Sequence, residues 1–225
     1  MKQKLLQSKY LLLLYLLGVI TASLGVFLMK SSTLGLGPWG VAAFELNALL
    51  NPILGFFTFG TASTLHTYTM ILVILIINKN LKSAFVFVSV FLINGMVDVY
   101  DFLIFPQWYI PNLELGILSH SVGFFVYCFG SAFLILSTFP GMVLEELTFA
   151  LMKVLKIKSY PVMRTIVAYF GFVLAFIYGL LSGTNASSIT VLSFFLGVAF
   201  GPVIQAIVKT IRQSKFATKL KPIKS

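Results

Sequence analysis

The sequence predicts an all-α membrane protein with about six transmembrane helices, arranged as two inverted three-helix repeats. The first reason is composition: 59% of the residues are hydrophobic and 10% are charged, whereas soluble proteins carry about 45–50% apolar and about 25% charged residues. The second reason is a series of long apolar segments, and the third is that basic residues lie between those segments. Too few polar side chains remain to cover a water-facing surface, which excludes a soluble enzyme.

The apolar segments define the predicted spans. A transmembrane helix needs about 20 mainly apolar residues, and six segments meet this length: roughly 10–29, 60–78, 84–104, 116–138, 163–182 and 188–208. The first segment is too long for the apolar region of a cleaved signal peptide, so it is predicted to be a retained span. The connections are too short for a soluble domain. Residues 1–225 are therefore predicted to form one polytopic domain in the lipid bilayer.

The basic residues predict the orientation of these spans. With the N-terminus inside, 15 of the 16 Lys and Arg residues fall on the inner side, and only Lys30 falls outside. The positive-inside rule then predicts that both termini are cytoplasmic, with a basic tail at 210–225. Because the basic residues form separate clusters and no continuous stripe, the sequence argues against nucleic-acid binding.

Two halves of the chain share features at similar spacing, which predicts repeats at about 10–104 and 116–209. The matched features are Gly18 with Gly123, Gly25 with Gly130, Glu45-Leu46 with Glu146-Leu147, and Gly95 with Gly197. Three spans per half would make the second repeat inverted relative to the first. Inverted repeats recur in secondary transporters, where the substrate site lies near the membrane midplane.

A broken segment in each half is the best candidate for a substrate site. The stretch from Gly35 to Gly40 contains a proline, which lacks an amide hydrogen and suits the first turn of a helix. A short helix beginning at Pro38 or Trp39 would present free amides, which attract anions or carbonyl groups. In the second half, Phe139-Pro140-Gly141 precedes another short apolar segment. Gly37, Pro38 and Trp39 are therefore predicted to contact substrate.

An interfacial location is the alternative for both short segments, 36–50 and 141–157. In the second segment Leu144, Leu147, Leu151 and Val154 share one helical face, while the charged residues lie largely elsewhere. This pattern is typical of an amphipathic helix on the membrane surface. The sequence leaves the choice between interfacial and site-lining helices open.

The ionisable residues of the spans supply further candidates. Glu45 and Glu146 occupy matching repeat positions and are predicted to bind substrate, whereas Glu145 is expected to face water. His66 lies in the second span, close to several Ser and Thr residues that form a polar stripe. There it would relay a proton or make a hydrogen-bonded contact with another helix. Arg164 is predicted to pair with Glu145 or Glu146 or to anchor its helix. His66 and Arg164 are both included among the predicted substrate-binding residues.

Two aspartates are candidates for ion coupling. Asp98 and Asp101 lie three residues apart, on one face of the third span. An ionisable group inside a span is costly and is usually functional.

The sequence predicts neither catalysis nor a cofactor. It contains no Walker loop, no nucleophile elbow and no spaced set of metal-binding Cys and His residues. Cys128 is the single cysteine, so no internal disulfide can form.

Three motifs resemble a known family. The stretches LGLGPWG (Leu34 to Gly40), GTAS (Gly60 to Ser63) and LGVAFGPVI (Leu196 to Ile204) resemble the YczE/YitT-like small bacterial integral membrane proteins. The resemblance implies a multi-pass protein of the bacterial plasma membrane, in a family with proposed transporter-like roles. An aspartate often follows the tryptophan in that family, whereas this chain has Gly40 there. The function of that aspartate is then absent here or has moved to Glu45.

Two functional hypotheses follow. The first is a secondary transporter or permease for an unidentified small solute, working alone or as a homodimer. The second is a partner subunit that does not itself transport, such as the substrate-binding component of an importer or an accessory or scaffold protein. Six spans and about 200 residues suit either hypothesis.

Overall fold

The computed structural model describes residues 2–79, 84, 86–106, 108–110, 112–137, 139 and 142–214, with side chains from Lys9 onward. Every regular element in these ranges is helical. The elements are α1 (Lys2–Ser31), α2 (Pro38–Leu54), α3 (Phe59–Asn78), α4 (Val86–Val99, continued by a π-helical turn at Tyr100–Ile104), α5 (Leu113–Leu136), α6 (Val143–Leu155), α7 (Tyr160–Ser182) and α8 (Val191–Gln213). Of the sequence predictions, Lys82, Pro140, Gly141 and the tail beyond residue 214 lie outside the described residues.

Local sequence accounts for several helix ends. The side chain of Thr58 accepts a hydrogen bond from the amide of Thr61 at the start of α3, and Asn112 accepts from two amides at the start of α5. Gly55 ends α2 in the left-handed conformation. Such caps satisfy backbone groups that the helix itself leaves unpaired.

The prediction of six membrane spans is confirmed. Six helices are long and apolar enough to cross a membrane: Lys9–Ser31, Phe59–Asn78, Val86–Ile104, Leu113–Leu136, Tyr160–Ser182 and Val191–Gln213. Their outward faces are apolar, with Ile76 73% and Leu181 67% exposed. Faces of this kind are stable against lipid and not against water. The chain is therefore a multi-pass membrane protein.

Contacts between helix ends define two ends of the bundle. At the upper end, where α1 finishes and α3 begins, Lys30 forms an ion pair with Asp101, and Asp98 accepts a hydrogen bond from the amide of Gly60. The lower end is where α3 and α8 finish and α7 begins. Apart from Lys30 and the buried Arg164, the basic side chains in the described part of the chain lie at or near the lower end.

Helices α1 and α5 form the central antiparallel pair. Their backbones approach closely at glycines: a Cβ atom on Gly25 would lie 2.4 Å from the amide nitrogen of Tyr127, and one on Gly130 would lie 2.3 Å from that of Ala22. Small residues allow this approach in membrane helices.

The remaining contacts are similar in the two halves. Helix α1 packs on α4 as α5 packs on α8, and each short helix contacts both α3 and α7. An inverted repeat would produce this pattern, but the repeat itself stays a prediction.

Candidate functional site

Helix α2 begins inside the bundle and not at its surface. Its first turn is buried, and a Cβ atom on Gly171, near the middle of α7, would lie 3.0 Å from the carbonyl carbon of Pro38. Gly197 of α8 makes similar room for the Pro38 ring. The chain therefore descends from the end of α1 to about mid-height, turns, and returns to the upper end as α2.

The first backbone amides of α2 are not capped by a side chain. Gly37 is the N-cap residue, no side chain caps the helix, and the first helical hydrogen bond runs from the amide of Val41 to the carbonyl of Gly37 at 3.0 Å. The amides of Trp39 and Gly40 precede that bond. Such amides carry the positive end of the helix dipole.

Trp39 connects α2 to α3 and α7. Its indole Nε1 donates a hydrogen bond of 3.1 Å to the carbonyl of Val167. The indole ring also stacks on the imidazole of His66, with 5.6 Å between ring centroids. His66 is buried, and its Nδ1 atom makes no hydrogen bond to any described residue.

Helix α6 begins next to the start of α2. Met142 is its N-cap residue, again without a side-chain cap, and the first helical hydrogen bond joins the amide of Glu146 to the carbonyl of Met142 at 3.1 Å. Leu144 lines a cavity together with residues 37–40. The two short helices therefore direct their N-terminal ends toward one region in the interior of the bundle.

Two adjoining cavities occupy this region. The smaller one, about 70 Å³, is lined by the first turn of α2 with Tyr127, Leu144, Arg164 and Phe200 among others. The larger one, about 120 Å³, extends toward His66 and Asn94. Trp39, Tyr127 and Leu144 belong to both walls. The lining is mostly apolar with a few polar groups, as is typical of small-molecule sites.

A buried ion pair stands at the wall of the smaller cavity. The Nε atom of Arg164 lies 3.5 Å from Oε1 of Glu145, and both residues are 2% exposed. Neither that nitrogen nor either carboxylate oxygen makes a hydrogen bond to a described residue. Gly201 of α8 leaves room for the Arg164 side chain. A buried pair without supporting hydrogen bonds is energetically costly.

The structure brings together five of the nine predicted site residues. Gly37, Pro38, Trp39, His66 and Arg164 all line one or both cavities.

The other four lie elsewhere. Glu45 is completely buried but binds the α7–α8 connection, where it accepts hydrogen bonds from the hydroxyls of Thr184 and Ser188 and, at 3.2 Å, from the Ser188 amide. Glu146 is half-buried and lines neither cavity. Asp98 binds the start of α3, and Asp101 pairs with Lys30. Substrate binding or ion coupling by these four residues stays a prediction.

One expectation for α6 is wrong. Glu145 does not face water, because the side of α6 that carries it packs against α7. The buried face consists of Val143, Glu145, Leu147, Thr148 and Ala150, whereas Val154 is 55% exposed. Local periodicity identified an apolar face, but the position of α7 decides which face is covered.

Sequence analysis also missed some cavity residues. Tyr127 and Leu144 line both cavities, and Glu145 supplies the carboxylate of the ion pair. A signal for Glu145 was present in the sequence: it lies three residues before Thr148, so the two polar residues share one face of α6. Within the described residues, no group of three or more His, Cys, Asp or Glu comes together to hold a metal ion.

Comparison with known proteins identifies the family but not its activity. Residues 9–209 match a family described as "Family of unknown function (DUF6198)", and the chain belongs to that family. No curated protein and no solved structure matches the chain. The resemblance to YczE/YitT-like proteins stays a prediction.

Proposed function

We propose that this member of a family of unknown function is a secondary transporter or permease for a small solute. The solute site would be the two adjoining cavities between the first turns of α2 and α6. The observation that carries the proposal is the meeting of two uncapped helix N-termini at cavities in the interior of a membrane bundle. Short, interrupted helices near the midplane form substrate sites in many secondary transporters.

The polar groups at the cavities support this proposal over a purely structural role. Non-helical backbone inside a membrane protein is tolerated where it is buried in protein or lines a water-filled cavity. Here the loop before α2 reaches the interior, and the buried groups of Arg164, Glu145 and His66 retain unused hydrogen-bonding capacity. Polar groups inside a membrane are expensive, and they usually mark substrate or ion pathways.

The orientation is part of the proposal. Most basic side chains in the described part of the chain lie at or near the lower end, so the positive-inside rule favours a cytoplasmic location for that end and for both termini. The resemblance to bacterial membrane proteins supports a location in the bacterial plasma membrane. Helix α2 would then run from the interior toward the outside, and α6 from the interior toward the cytoplasm.

A binding screen with a blocked-cavity variant tests the solute site. The purified protein in detergent is heated with a panel of metabolites, ions and vitamins. A ligand at about 100 times its Kd should stabilise the fold by about 2.7 kcal/mol and raise the Tm. Leu144 lines both cavities, so Leu144→Trp should fill them and abolish the Tm shift. Leu155→Trp, at the exposed end of the same helix, is the matched control and should retain it.

Flux then separates transport from binding alone. The stabilising solute is loaded outside liposomes that contain the purified protein, and its uptake is compared between wild type and Leu144→Trp. Uptake by the wild type alone supports the transporter. Binding without uptake, together with co-purification of an ATPase, would instead favour the partner-subunit hypothesis. A Tm shift that persists in Leu144→Trp would contradict the proposed site.

A further inference from the structure

The ion pair of Arg164 and Glu145 has donors and acceptors that the protein does not use. The guanidinium has five N–H donors, and its Nε atom approaches Glu145 only to 3.5 Å, without a hydrogen bond. Buried polar groups are nearly always hydrogen-bonded, and exceptions call for an explanation. The position of Arg164 on the cavity wall supplies one, because a bound solute can accept those hydrogen bonds.

Fixed partial charges around the smaller cavity are positive. Each helix N-terminus acts as roughly half a positive charge, and both α2 and α6 begin at this cavity without a capping side chain. The Arg164 guanidinium adds a full charge at the same wall, and Glu145 offsets part of the total. A site with these groups complements a negative solute better than a neutral or positive one.

On the basis of the proposed solute site, we propose that the solute is a small monoanion of the carboxylate type, bound by Arg164 and the first-turn amides of α2 and α6. The size of the site limits the choice. A protein cavity of about 150 Å³ holds one benzene molecule, so cavities of about 70 and 120 Å³ admit solutes of a few non-hydrogen atoms, such as formate, acetate or lactate. A guanidinium binds a carboxylate with two parallel hydrogen bonds, which gives the site its geometric selectivity.

Binding of the anion also moves a proton to Glu145. When the solute pairs with the guanidinium of Arg164, the Glu145 carboxylate loses its counter-ion, although the carboxylate remains buried. An unpaired buried carboxylate becomes neutral by protonation. The titratable groups around it are Tyr127 and Cys128 of α5, Glu146 of α6, and Tyr160 and Arg164 of α7, with His66 of α3 across the adjoining cavity. Among these groups only Arg164 is permanently positive, so no other cation replaces it beside Glu145 when the solute binds. Each anion therefore binds together with one proton.

Acetate and acetamide distinguish charge from shape, because the two molecules have nearly the same size. The full-length protein in detergent is titrated with each at constant ionic strength. Acetate should raise the Tm, and acetamide should leave it unchanged. Calorimetry in two buffers of different ionisation enthalpy should show the uptake of about one proton per acetate bound.

Three variants assign these effects to residues. Glu145→Gln should bind acetate without proton uptake, because no carboxylate remains to be neutralised. The double variant Glu145→Gln/Arg164→Gln contains no unpaired buried charge, so it should fold. Its Kd for acetate should rise about tenfold or more, since charged hydrogen bonds are lost. Arg212→Gln, at an exposed arginine of α8, is the matched control and should bind acetate like the wild type.

The possible failures point to different conclusions. If acetamide stabilises the protein as well as acetate does, and Leu144→Trp abolishes both shifts, the anion inference is wrong and the solute site survives. Acetate binding without proton uptake would overturn the role of Glu145. If formate, acetate and lactate produce no shift while a different solute of the panel does, the anion inference again fails alone. No shift with any solute would contradict both proposals.

Discussion

Two buried glutamates, one on each short helix, have opposite surroundings. Glu45 of α2 accepts three hydrogen bonds, from both hydroxyls and one amide of the α7–α8 connection. Glu145 of α6 accepts none from a described residue and has one cation at 3.5 Å. Both residues are at most 2% exposed, so the difference does not come from burial.

The comparison separates a carboxylate that stabilises the fold from one whose counter-ion, Arg164, is available to bind a solute. A buried charge with all its hydrogen bonds holds its neighbours in one arrangement. A buried charge with one counter-ion and no hydrogen bonds depends on that counter-ion alone, so its protonation state responds when a ligand binds the counter-ion. Glu45 therefore fixes α2 to the α7–α8 connection, whereas Glu145 is free to respond to a ligand.

Their positions along the helices explain the contrast. Glu145 is in the first turn of α6, beside the cavities, whereas Glu45 lies seven residues after Pro38. Seven residues of helix span about 10 Å, which carries Glu45 from the interior to the upper end. A connection rich in Ser and Thr is available there to donate hydrogen bonds.

The largest expected effect is on stability when one member of the ion pair is removed. Arg164→Met leaves the Glu145 carboxylate buried without its cation, and such a change typically costs about 3–5 kcal/mol. The double variant Glu145→Leu/Arg164→Met removes both charges and should be about as stable as the wild type, or more so. The free energy of unfolding in detergent, measured for both variants, checks this.

Arg212→Met is the matched control for the arginine substitution, because its side chain is exposed, and it should change stability by less than about 0.5 kcal/mol. If Arg164→Met is as stable as this control, Glu145 is already neutral in the free protein. The contrast with Glu45 would then rest on hydrogen bonding alone.

A smaller loss of stability is expected when Glu45, the carboxylate with hydrogen-bond partners, is removed. Glu45→Ala leaves the donors of Thr184 and Ser188 without their acceptor. Because these residues are only half-buried and water reaches them, we expect a loss of about 2–3 kcal/mol. Thermal unfolding measures it. Glu114→Ala, at an exposed position of α5, is the control and should be nearly neutral; an equally small effect of Glu45→Ala would refute the structural role of Glu45.

Much of the fold could be predicted from the sequence, because the length and hydropathy of each span depend only on its own residues. Twenty apolar residues define a membrane helix whatever they contact, and all six spans were found with boundaries that differ by five residues at most, at the end of α8. The short helices were also found. Their depth was not, because it depends on Gly171 and Gly197, two glycines of distant helices that make room for Pro38.

The part of the candidate site that depends on local sequence was also predictable. Pro38 and Trp39 stand out because a helix break is visible in the sequence itself. Glu145 was misjudged because its surroundings are set by Arg164, nineteen residues later in the chain, and by the face of α6 that α7 covers. Pairings across helices do not follow from hydropathy or spacing. They need the packed structure.

The smallest expected effect on stability comes from removing a single hydrogen bond to Glu45. Ser188→Ala removes the hydroxyl that donates to Oε1 of Glu45, but the Ser188 amide still donates to the same oxygen at 3.2 Å. The loss should therefore be about 1 kcal/mol, the usual value for one hydrogen bond. The exposed neighbour provides the control, since Ser187→Ala should shift the Tm much less. Equal shifts for the two serines would mean that water replaces the Ser188 hydroxyl without cost, and that the amide and Thr184 suffice to hold Glu45.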